Sequence, residues 1–255
     1  MILQLDVGNS RVKWRLLNKG SVFERGVSTL DGFRSSLQAA LKSAPPADRV
    51  QLSSVASSEK NQLLLSQLES IVGSVPVFVA RSQARLGAVE FAYSMPETQG
   101  VDRCLAMVAA YERYDRDSYS GVMVIDAGSA LTVDVVSADG LQRDGYICSG
   151  YQMMLNALLG NTSSIRSGYE VSSEVGGKLS TKACVIGGVD KAFEFCVLGF
   201  VARARSQNLQ VYVTGGDARR IEAFCVVDAK GIELDSDLVF DGLVLADSYA
   251  VEDAR

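Results

Sequence analysis

The stretch LQLDVGNSRVKW, residues 3–14, joins two strand-like segments through a turn that holds an acid, a glycine and two small polar residues. The apolar segment that ends at Leu5 predicts one β-strand, and the segment that begins at Val12 predicts the next. Asp, Gly and Asn are common in turns, so a surface hairpin with a polar tip would explain one copy of this pattern, although Gly8-Asn9 reverses the Asn-Gly order that two-residue hairpins prefer. A single copy therefore carries little information on function.

A second copy of the pattern lies in the other half of the chain. Residues 122–133 read VMVIDAGSALTV, which aligns Asp126 with Asp6, a shift of 126 − 6 = 120 residues, and Gly128 with Gly8. The same shift brings Gly140 to the position of Gly20. Because strand, acidic turn, strand and second turn recur in the same order, the sequence predicts an internal duplication.

The duplicated turn has the chemistry of a phosphate site. Backbone N–H groups in a turn that contains glycine can approach phosphate oxygens closely. Carboxylates such as Asp6 and Asp126 can hold Mg²⁺, which usually keeps several of its waters. Two facing copies would clamp one nucleotide.

Length and composition favour two domains of ordinary size. The chain has 255 residues, of which 47% are hydrophobic, enough for a substantial core. We place the boundary between residues 1–118 and 119–255. No apolar run approaches the length of a membrane span, and no basic segment precedes the first apolar residues, so we expect no membrane association and a cytoplasmic location.

Several function classes are excluded by what the sequence lacks. It contains no histidine and its net charge is −5, which argues against Ser-His-Asp catalysis and against a nucleic-acid surface. Its five cysteines show no C-x-x-C spacing, so neither a disulfide framework nor a zinc site is expected. Neither a P-loop motif nor a Rossmann G-x-G-x-x-G after a strand is present.

The hydrophobic pattern predicts a mixed α/β fold. In the first half it indicates strands near 2–7, 11–17, 21–26, 49–54 and 76–80, and helices near 30–42, 59–72 and 100–114. In the second half it indicates strands near 121–126, 130–137, 142–147 and 210–214, and helices near 180–202, 217–223 and 239–251. The segment DGYICSG, 144–150, runs from a strand into a helix.

Two further features each allow a structural and a functional interpretation. Asp102 lies in the first turn of the helix near 100–114, where the helix dipole alone favours an acid. The turn Gly215-Gly216 could lie against a ring or a ribose, but a tight strand-to-helix connection capped by Asp217 explains it equally well.

Six motifs in this order resemble the type III pantothenate kinase family. They are LDVGNSRVKW at 5–14, Tyr93-x-x-Pro96 followed by GVDR at 100–103, VIDAGSALTVD at 124–134, GYICSG at 145–150, TGGDA at 214–218 and LVFDGL at 238–243. The resemblance implies two ribonuclease-H-like domains of the actin-like ATPase superfamily, with the active site in the cleft between them. It implies ATP-dependent phosphorylation of pantothenate to 4′-phosphopantothenate, with Mg²⁺ and a monovalent cation such as K⁺ or NH₄⁺, by a homodimer.

The resemblance also assigns roles to individual residues. Asp102 matches the general base, and the pantothenate site matches Tyr93, Gly100, Val101, Asp102, Arg103 and Ser180. The ATP site matches Asp6, Val7, Gly8, Asn9, Ser10, Arg11, Val12, Lys13, Gly128, Ser129, Ala130, Thr132, Thr214, Gly215 and Gly216. Mg²⁺ is assigned to Asp6 and Asp126, and the monovalent cation to Asp134.

The chain departs from the family pattern at four positions. Ser129 and Ser180 stand where the family usually has Thr, and both keep a hydroxyl. Ser149 replaces a Pro, and Asp144 replaces a Gly.

Two other functions remain open at the level of sequence. One is a different enzyme of the same fold, either a kinase of another small hydroxylated substrate or a polyphosphate-type phosphohydrolase, and the segment from Tyr93 to Arg103 argues against both. The other is a non-catalytic relative that acts as an accessory regulatory factor for transcription. The presence of Asp6, Asp102 and Asp126 favours the enzyme.

Overall fold

A computed structural model describes residues 1–171, 179–225 and 231–253. The chain divides into two compact units. Unit 1 comprises Met1–Arg113, Gly140–Gln142 and the chain from Asp237 onward, and unit 2 comprises the described residues of Tyr114–Asp139 and Arg143–Ser236. None of the helices in the described ranges combines the length and apolar character that a membrane span requires.

The two units contain twelve strands and eight α-helices within the described ranges. The strands are β1 Ile2–Val7, β2 Val12–Asn18, β3 Ser21–Ser28, β4 Arg49–Ser54, β5 Val77–Val79, β6 Arg85–Leu86, β7 Val89–Glu90, β8 Gly121–Ala127, β9 Ala130–Ser137, β10 Gln142–Ser149, β11 Gln210–Thr214 and β12 Ile232–Leu234. The helices are α1 Leu30–Leu41, α2 Ser58–Val72, α3 Val101–Arg113, α4 Tyr151–Asn161, α5 Ser163–Val171, α6 Thr181–Ser206, α7 Ala218–Cys225 and α8 Leu238–Asp253, and a 3₁₀-helix spans Pro96–Thr98.

Unit 1 is built on a five-stranded sheet in the order β3-β2-β1-β4-β5. Strand β1 runs antiparallel to β2 and parallel to β4. Because side chains alternate along a strand, Leu3, Leu5 and Val7 enter the apolar core shared with α1 and α2. Gln4 and Asp6 therefore point to the opposite face of the sheet.

That opposite face of the first sheet is covered by α3 and α8. Gln4 donates a hydrogen bond to the carbonyl of Phe240 in α8 at 3.2 Å. Helix α3 is buried over nearly its whole circumference, and α8 packs closely against it. A Cβ at Gly242 would collide with the backbone oxygen of Leu105, so the glycine of the LVFDGL motif is required for this contact.

Unit 2 repeats the architecture of unit 1. Its five-stranded sheet has the order β10-β9-β8-β11-β12, which matches the order of the first sheet strand for strand. The aligned glycines Gly20 and Gly140 both have a left-handed backbone, with φ of 81° and 82°. This agreement confirms the predicted duplication and the mixed α/β fold class.

The two copies differ by one residue in the first turn. In unit 1 the hairpin closes at the pair Val7 and Val12, and in unit 2 it closes at the pair Ala127 and Leu131. The acidic turn of unit 2 is therefore one residue shorter than the acidic turn of unit 1. The register keeps a shift of 119 residues up to Asn18 and Ser137, and the shift of 120 returns at Gly140 because the turn after β9 is one residue longer than the turn after β2.

The sequence pattern located most elements but not all of them. The short strands β6, β7 and β12, the 3₁₀-helix and α5 were not predicted, and β10 extends two residues beyond the predicted end, to Ser149. Helix α4 follows β10 as the segment 144–150 indicates. Helix α8 belongs to unit 1, whereas a boundary between residues 118 and 119 assigns it to the second domain. The division into domains at that boundary stays a prediction.

Candidate active site

The first acidic turn closes at the end of β1 in unit 1. The backbone N–H of Gly8 donates to the carbonyl of Arg11 at 3.0 Å. Asp6 stands two residues before this glycine and is only 9% exposed. The turn and the carboxylate are therefore adjacent, as a phosphate and metal site requires.

Strand register places two polar neighbours beside Asp6. Lys13 of β2 and Ser53 of β4 are its partners across the sheet. The Lys13 Nζ lies 3.7 Å from the Asp6 Oδ2. We call Lys13, Asp6 and Ser53 the unit 1 row. Lys13 was predicted from the sequence, but Ser53 was not, because only the pairing of β1 with β4 brings it to Asp6.

Burial makes the Asp6 carboxylate unusually basic. Its pKa is raised from 3.8 to about 6, chiefly because burial disfavours the charged form. The Lys13 ammonium lowers the pKa, whereas the nearby negative charge of Asp102 raises it. A bound cation would relieve this burial cost, so the site fits a metal ion.

Asp102 lies in the first turn of α3, close enough to Lys13 for the lysine charge to act on it. Its pKa is raised, mainly by burial, while Arg103 and Lys13 act in the opposite direction. The Oδ1 atom accepts a hydrogen bond from the backbone N–H of Arg103 at 2.8 Å. A Cβ at Gly100 would lie 2.6 Å from this oxygen, so glycine leaves room for the carboxylate.

Arg103 and Tyr93, both predicted to bind the substrate, contact each other. The Arg103 guanidinium donates to the Tyr93 hydroxyl at 2.7 Å and lies 5.6 Å from the centre of its ring. Arg103 is buried, with 6% exposure. The structure therefore brings Asp6, Lys13, Asp102, Arg103 and Tyr93 into one region of unit 1.

A glutamine pair holds the segment between Tyr93 and Gly100. The Gln142 Oε1 accepts hydrogen bonds from the Ala92 backbone N–H at 3.2 Å and from the Gln99 Nε2 at 3.1 Å. Both glutamines are buried. Sequence reasoning missed these residues because the contact spans more than 40 positions of the chain and no local pattern marks it.

Lys60 is a further residue that the sequence did not indicate. Its Nζ donates to the backbone carbonyl of Asn9 at 2.9 Å. A shallow cavity lies beside the turn and is lined by Val7, Gly8, Asn9, Ser10, Arg11, Val12, Leu30 and Lys60. The lysine thus places a positive charge at the first phosphate turn.

The second acidic turn repeats this arrangement within unit 2. The Gly128 N–H donates to the Ala130 carbonyl at 3.0 Å. Thr132 of β9 and Thr214 of β11 are the cross-strand partners of Asp126. We call Thr132, Asp126 and Thr214 the unit 2 row. Residues from two separate motifs, VIDAGSALTVD and TGGDA, are therefore neighbours.

Two glycines let neighbouring segments approach the second turn. Gly215 has φ +97°, and a Cβ there would collide with the Asp126 Oδ1 and the Ala127 carbonyl. A Cβ at Gly150 would collide with the carbonyls of Gly128 and Ser129. The TGGDA and GYICSG motifs therefore both pack on the acidic turn.

Two other predicted residues also lie in unit 2. Asp134 is 2% exposed and lies two residues beyond Thr132 in β9, on the same face of the sheet. The Ser180 Oγ accepts a hydrogen bond from the Ala183 N–H at 3.1 Å and so caps α6. The cation role of Asp134 and the substrate role of Ser180 stay predictions.

The donor set suits magnesium rather than a metal held by protein alone. The described residues contain no group of three or more His, Cys, Asp or Glu side chains arranged to hold a metal. Mg²⁺ in kinases is typically bound by one or two carboxylates together with phosphates and water. The assignment of Mg²⁺ to Asp6 in unit 1 and Asp126 in unit 2 stays a prediction.

Comparison with known proteins identifies relatives of the whole chain. Curated type III pantothenate kinases from Hahella chejuensis and Ectopseudomonas mendocina are 35% and 33% identical and align over 94% and 96% of this chain and 94% and 98% of their own. A solved structure described as a Baf family transcriptional activator from Campylobacter jejuni has a TM-score of 0.55 at 19% identity, covering 98% of this chain and 99% of that one. The ethanolamine utilization protein EutJ from Carboxydothermus hydrogenoformans has a TM-score of 0.51 at 13% identity, covering 96% and 89%.

These structural likenesses support the fold, and the sequence likenesses define the family. The family model for type III pantothenate kinase matches residues 2–203. Together with relatives above 30% identity over nearly the whole chain, this match shows that the chain belongs to the type III pantothenate kinase family.

Proposed function

We propose that this chain transfers the γ-phosphoryl group of ATP to pantothenate, giving 4′-phosphopantothenate in the first step of coenzyme A biosynthesis. Family membership supports the reaction. The observation that carries the assignment to this chain is the position of Asp102, a half-buried carboxylate of raised pKa that lies within range of the Lys13 charge and next to Arg103. A surface helix cap would need neither the burial nor these neighbours.

On the acceptor side, Asp102 accepts the proton of the pantothenate primary hydroxyl as that oxygen attacks phosphorus. Burial raises the pKa of Asp102, which makes it a better base than an exposed aspartate. Arg103, fixed by Tyr93, orients the substrate through its guanidinium group. Gln99 and Gln142 hold the backbone from which Tyr93 projects.

On the donor side, the N–H groups of the turns after Asp6 and Asp126 contact phosphate oxygens. Asp6 and Asp126 would hold Mg²⁺, which would supply positive charge to balance that of the phosphates. Lys13 lies beside Asp6 and supplies a further positive charge. The Gly215-Gly216 turn, packed on Asp126, takes the adenosine.

The cation, assembly and location parts of the proposal go beyond the family name. Asp134, buried on the Asp126 face of its sheet, is the proposed ligand of K⁺ or NH₄⁺. We assign a homodimer because Ile147 of β10 and Phe195 of α6 are large apolar side chains that are 65% and 66% exposed, a feature of association surfaces. The cytoplasmic location stays a prediction from the sequence.

A substrate panel tests the reaction directly. ATP consumption is measured with pantothenate and with other hydroxylated acids and sugars, in K⁺ and in Na⁺ buffers, and the product is identified by mass spectrometry. We expect turnover with pantothenate and formation of its monophosphate. Faster turnover of another hydroxyl compound would instead identify a kinase of the same fold with a different substrate.

The same assay distinguishes the enzyme from the regulatory alternative. The structural relative described as a transcriptional activator shares the fold, so the fold itself does not exclude an accessory factor. Wild-type protein that binds ATP but phosphorylates no member of the panel would favour that alternative. Loss of turnover in Asp102→Asn with retained nucleotide binding would favour the enzyme.

A further inference from the structure

Ser53 is a buried polar residue to which the proposed reaction gives no role. It lies near the end of β4 with 0% exposure. Its Oγ has no hydrogen-bond partner among the residues that the structure describes. A buried hydroxyl without a partner destabilises a fold, so its presence calls for a reason other than stability.

The neighbour of this hydroxyl is the Asp6 carboxylate. Ser53 pairs with Asp6 across β1 and β4, so their side chains share one face of the sheet. The hydroxyl is near enough to lower the pKa of Asp6, yet no hydrogen bond of normal geometry joins the two in the ligand-free chain. A rotation of either side chain would form one, since serine has three staggered rotamers.

The second copy of the fold has the same arrangement. Thr214 pairs with Asp126 across β8 and β11 and is 1% exposed. Each aspartate therefore has a buried hydroxyl on the side of its parallel neighbour strand. On the antiparallel side the copies differ, with Lys13 in one and Thr132 in the other. A buried hydroxyl on the parallel side of the aspartate is thus common to both rows, whereas the residue on the antiparallel side differs between them.

We propose that Ser53 is a positioning residue that donates a hydrogen bond to one oxygen of Asp6 and directs the other oxygen to the nucleotide-bound Mg²⁺. The inference rests on the proposed function, because it takes Asp6 as a metal ligand. Carboxylates that bind metals are commonly oriented by such hydrogen bonds, whose loss lowers metal affinity. The Ser53 hydroxyl, which has no hydrogen-bond partner among the described residues, is available for this role.

Removal of the hydroxyl should weaken the response to Mg²⁺ without harming the fold. We expect Ser53→Ala to raise the Mg²⁺ concentration for half-maximal rate at fixed ATP by about 10-fold, with kcat at saturating Mg²⁺ changed by less than about 3-fold. Calorimetry of ADP binding with and without Mg²⁺ provides a readout independent of turnover. There the Mg²⁺-dependent gain in affinity should fall by a similar factor, whereas affinity in EDTA should stay unchanged.

Three variants serve as controls. Ser53→Thr retains the donor and should keep the Mg²⁺ response. Ser28→Ala removes another buried hydroxyl without a partner, in β3, and should leave the response at the wild-type value. In the calorimetric assay, Ser53→Ala added to Asp6→Asn should have no further effect, because the metal ligand that Ser53 orients has already been removed. This double variant tests whether Ser53 acts through Asp6 even if the added methyl of Ser53→Thr disturbs packing.

The outcomes separate this inference from the proposed function. A wild-type Mg²⁺ response in Ser53→Ala, with a lost response in Asp6→Asn, overturns the positioning role alone. A melting temperature of Ser53→Ala in EDTA well below that of wild type would also overturn it, because it would identify a purely structural serine. A wild-type Mg²⁺ response in Asp6→Asn would instead refute the assignment of Asp6 as metal ligand.

Discussion

Replacement of Asp6 by Asn should stabilise the metal-free chain while it abolishes turnover. The pKa of this carboxylate is raised from 3.8 to about 6, and a difference of one in pKa corresponds to about 1.36 kcal/mol. At pH 8 the ionised Asp6 therefore lowers the free energy of unfolding by about 3 kcal/mol. Asn keeps the shape and carries no charge, but its amide needs partners, so we expect a net gain of about 2 kcal/mol.

The gain should depend on pH in a defined direction. A carboxylate whose pKa is higher in the folded chain than in the unfolded chain destabilises the fold when ionised. The cost is complete above the folded pKa of about 6 and disappears below the unfolded value of 3.8. The difference in unfolding free energy between Asp6→Asn and wild type should therefore be largest at pH 7–8 and vanish near pH 4.

Chemical denaturation in EDTA from pH 4 to pH 8 measures this difference. For a chain of this size, about 2 kcal/mol corresponds to a rise in melting temperature of about 4–8 °C. Asp48→Asn is the matched control, because the N-terminal ammonium lowers the pKa of that exposed carboxylate, so this variant should gain no stability at any pH. A destabilised Asp6→Asn at pH 8, or a gain that persists at pH 4, would refute the reasoning.

Four further predictions follow from the two units. Asp102→Asn should lower kcat by at least about 100-fold with little change in the KM for ATP or in the melting temperature. Steady-state kinetics and a thermal melt measure these quantities, and near wild-type turnover would show that Asp102 is only a helix cap. Lys60→Met should raise the KM for ATP by about 2- to 5-fold and leave kcat unchanged, because an exposed charge contributes little, and Lys60→Arg should restore it. Asp247→Ala should lower the free energy of unfolding by about 2–4 kcal/mol in denaturant titrations, because Arg49 and Gln51 lose the acceptor of their hydrogen bonds; equal stability would show that the pair is solvated. Turnover at fixed ionic strength should be higher in K⁺ or NH₄⁺ than in Na⁺, and Asp134→Asn should remove the difference.

The sequence predicted the parts of the fold that local pattern determines. Strands β1, β4 and β11 were predicted at their observed bounds, because alternating apolar residues and turn residues mark them. Strands of two or three residues such as β6 and β12 are too short to show a period. The sequence predicted helix α3 but not the extent of its burial, because small residues such as Ala106 and Ala109 do not show from sequence that a second helix packs on them.

The candidate site divides in the same way. Asp6 and Asp126 were found because each stands in a turn whose two copies can be aligned along the chain. The sequence did not indicate Ser53, Lys60 or Gln142, because strand register or long-range contact brings them to the site. The residues next to them in the chain carry no pattern that predicts such a contact. Internal symmetry could have found Ser53, since Thr214 lies beside Asp126 in the same way, but only after β4 and β11 had been recognised as equivalent strands.

The differences between the two rows indicate how the copies divide the reaction. Each row contains an aspartate and a buried hydroxyl, and a glycine turn follows each aspartate; the proposed function assigns phosphate and metal binding to these groups. Unit 1 alone adds Lys13 beside its aspartate and Asp102 within range of that lysine. A positive charge close to the transferred phosphoryl group and a base close to the acceptor are needed only once per reaction. The proposed function therefore assigns the transfer step to the groups found only in unit 1, so exchange of Lys13 for Thr, the residue at the equivalent place in unit 2, should lower kcat more than it lowers nucleotide affinity.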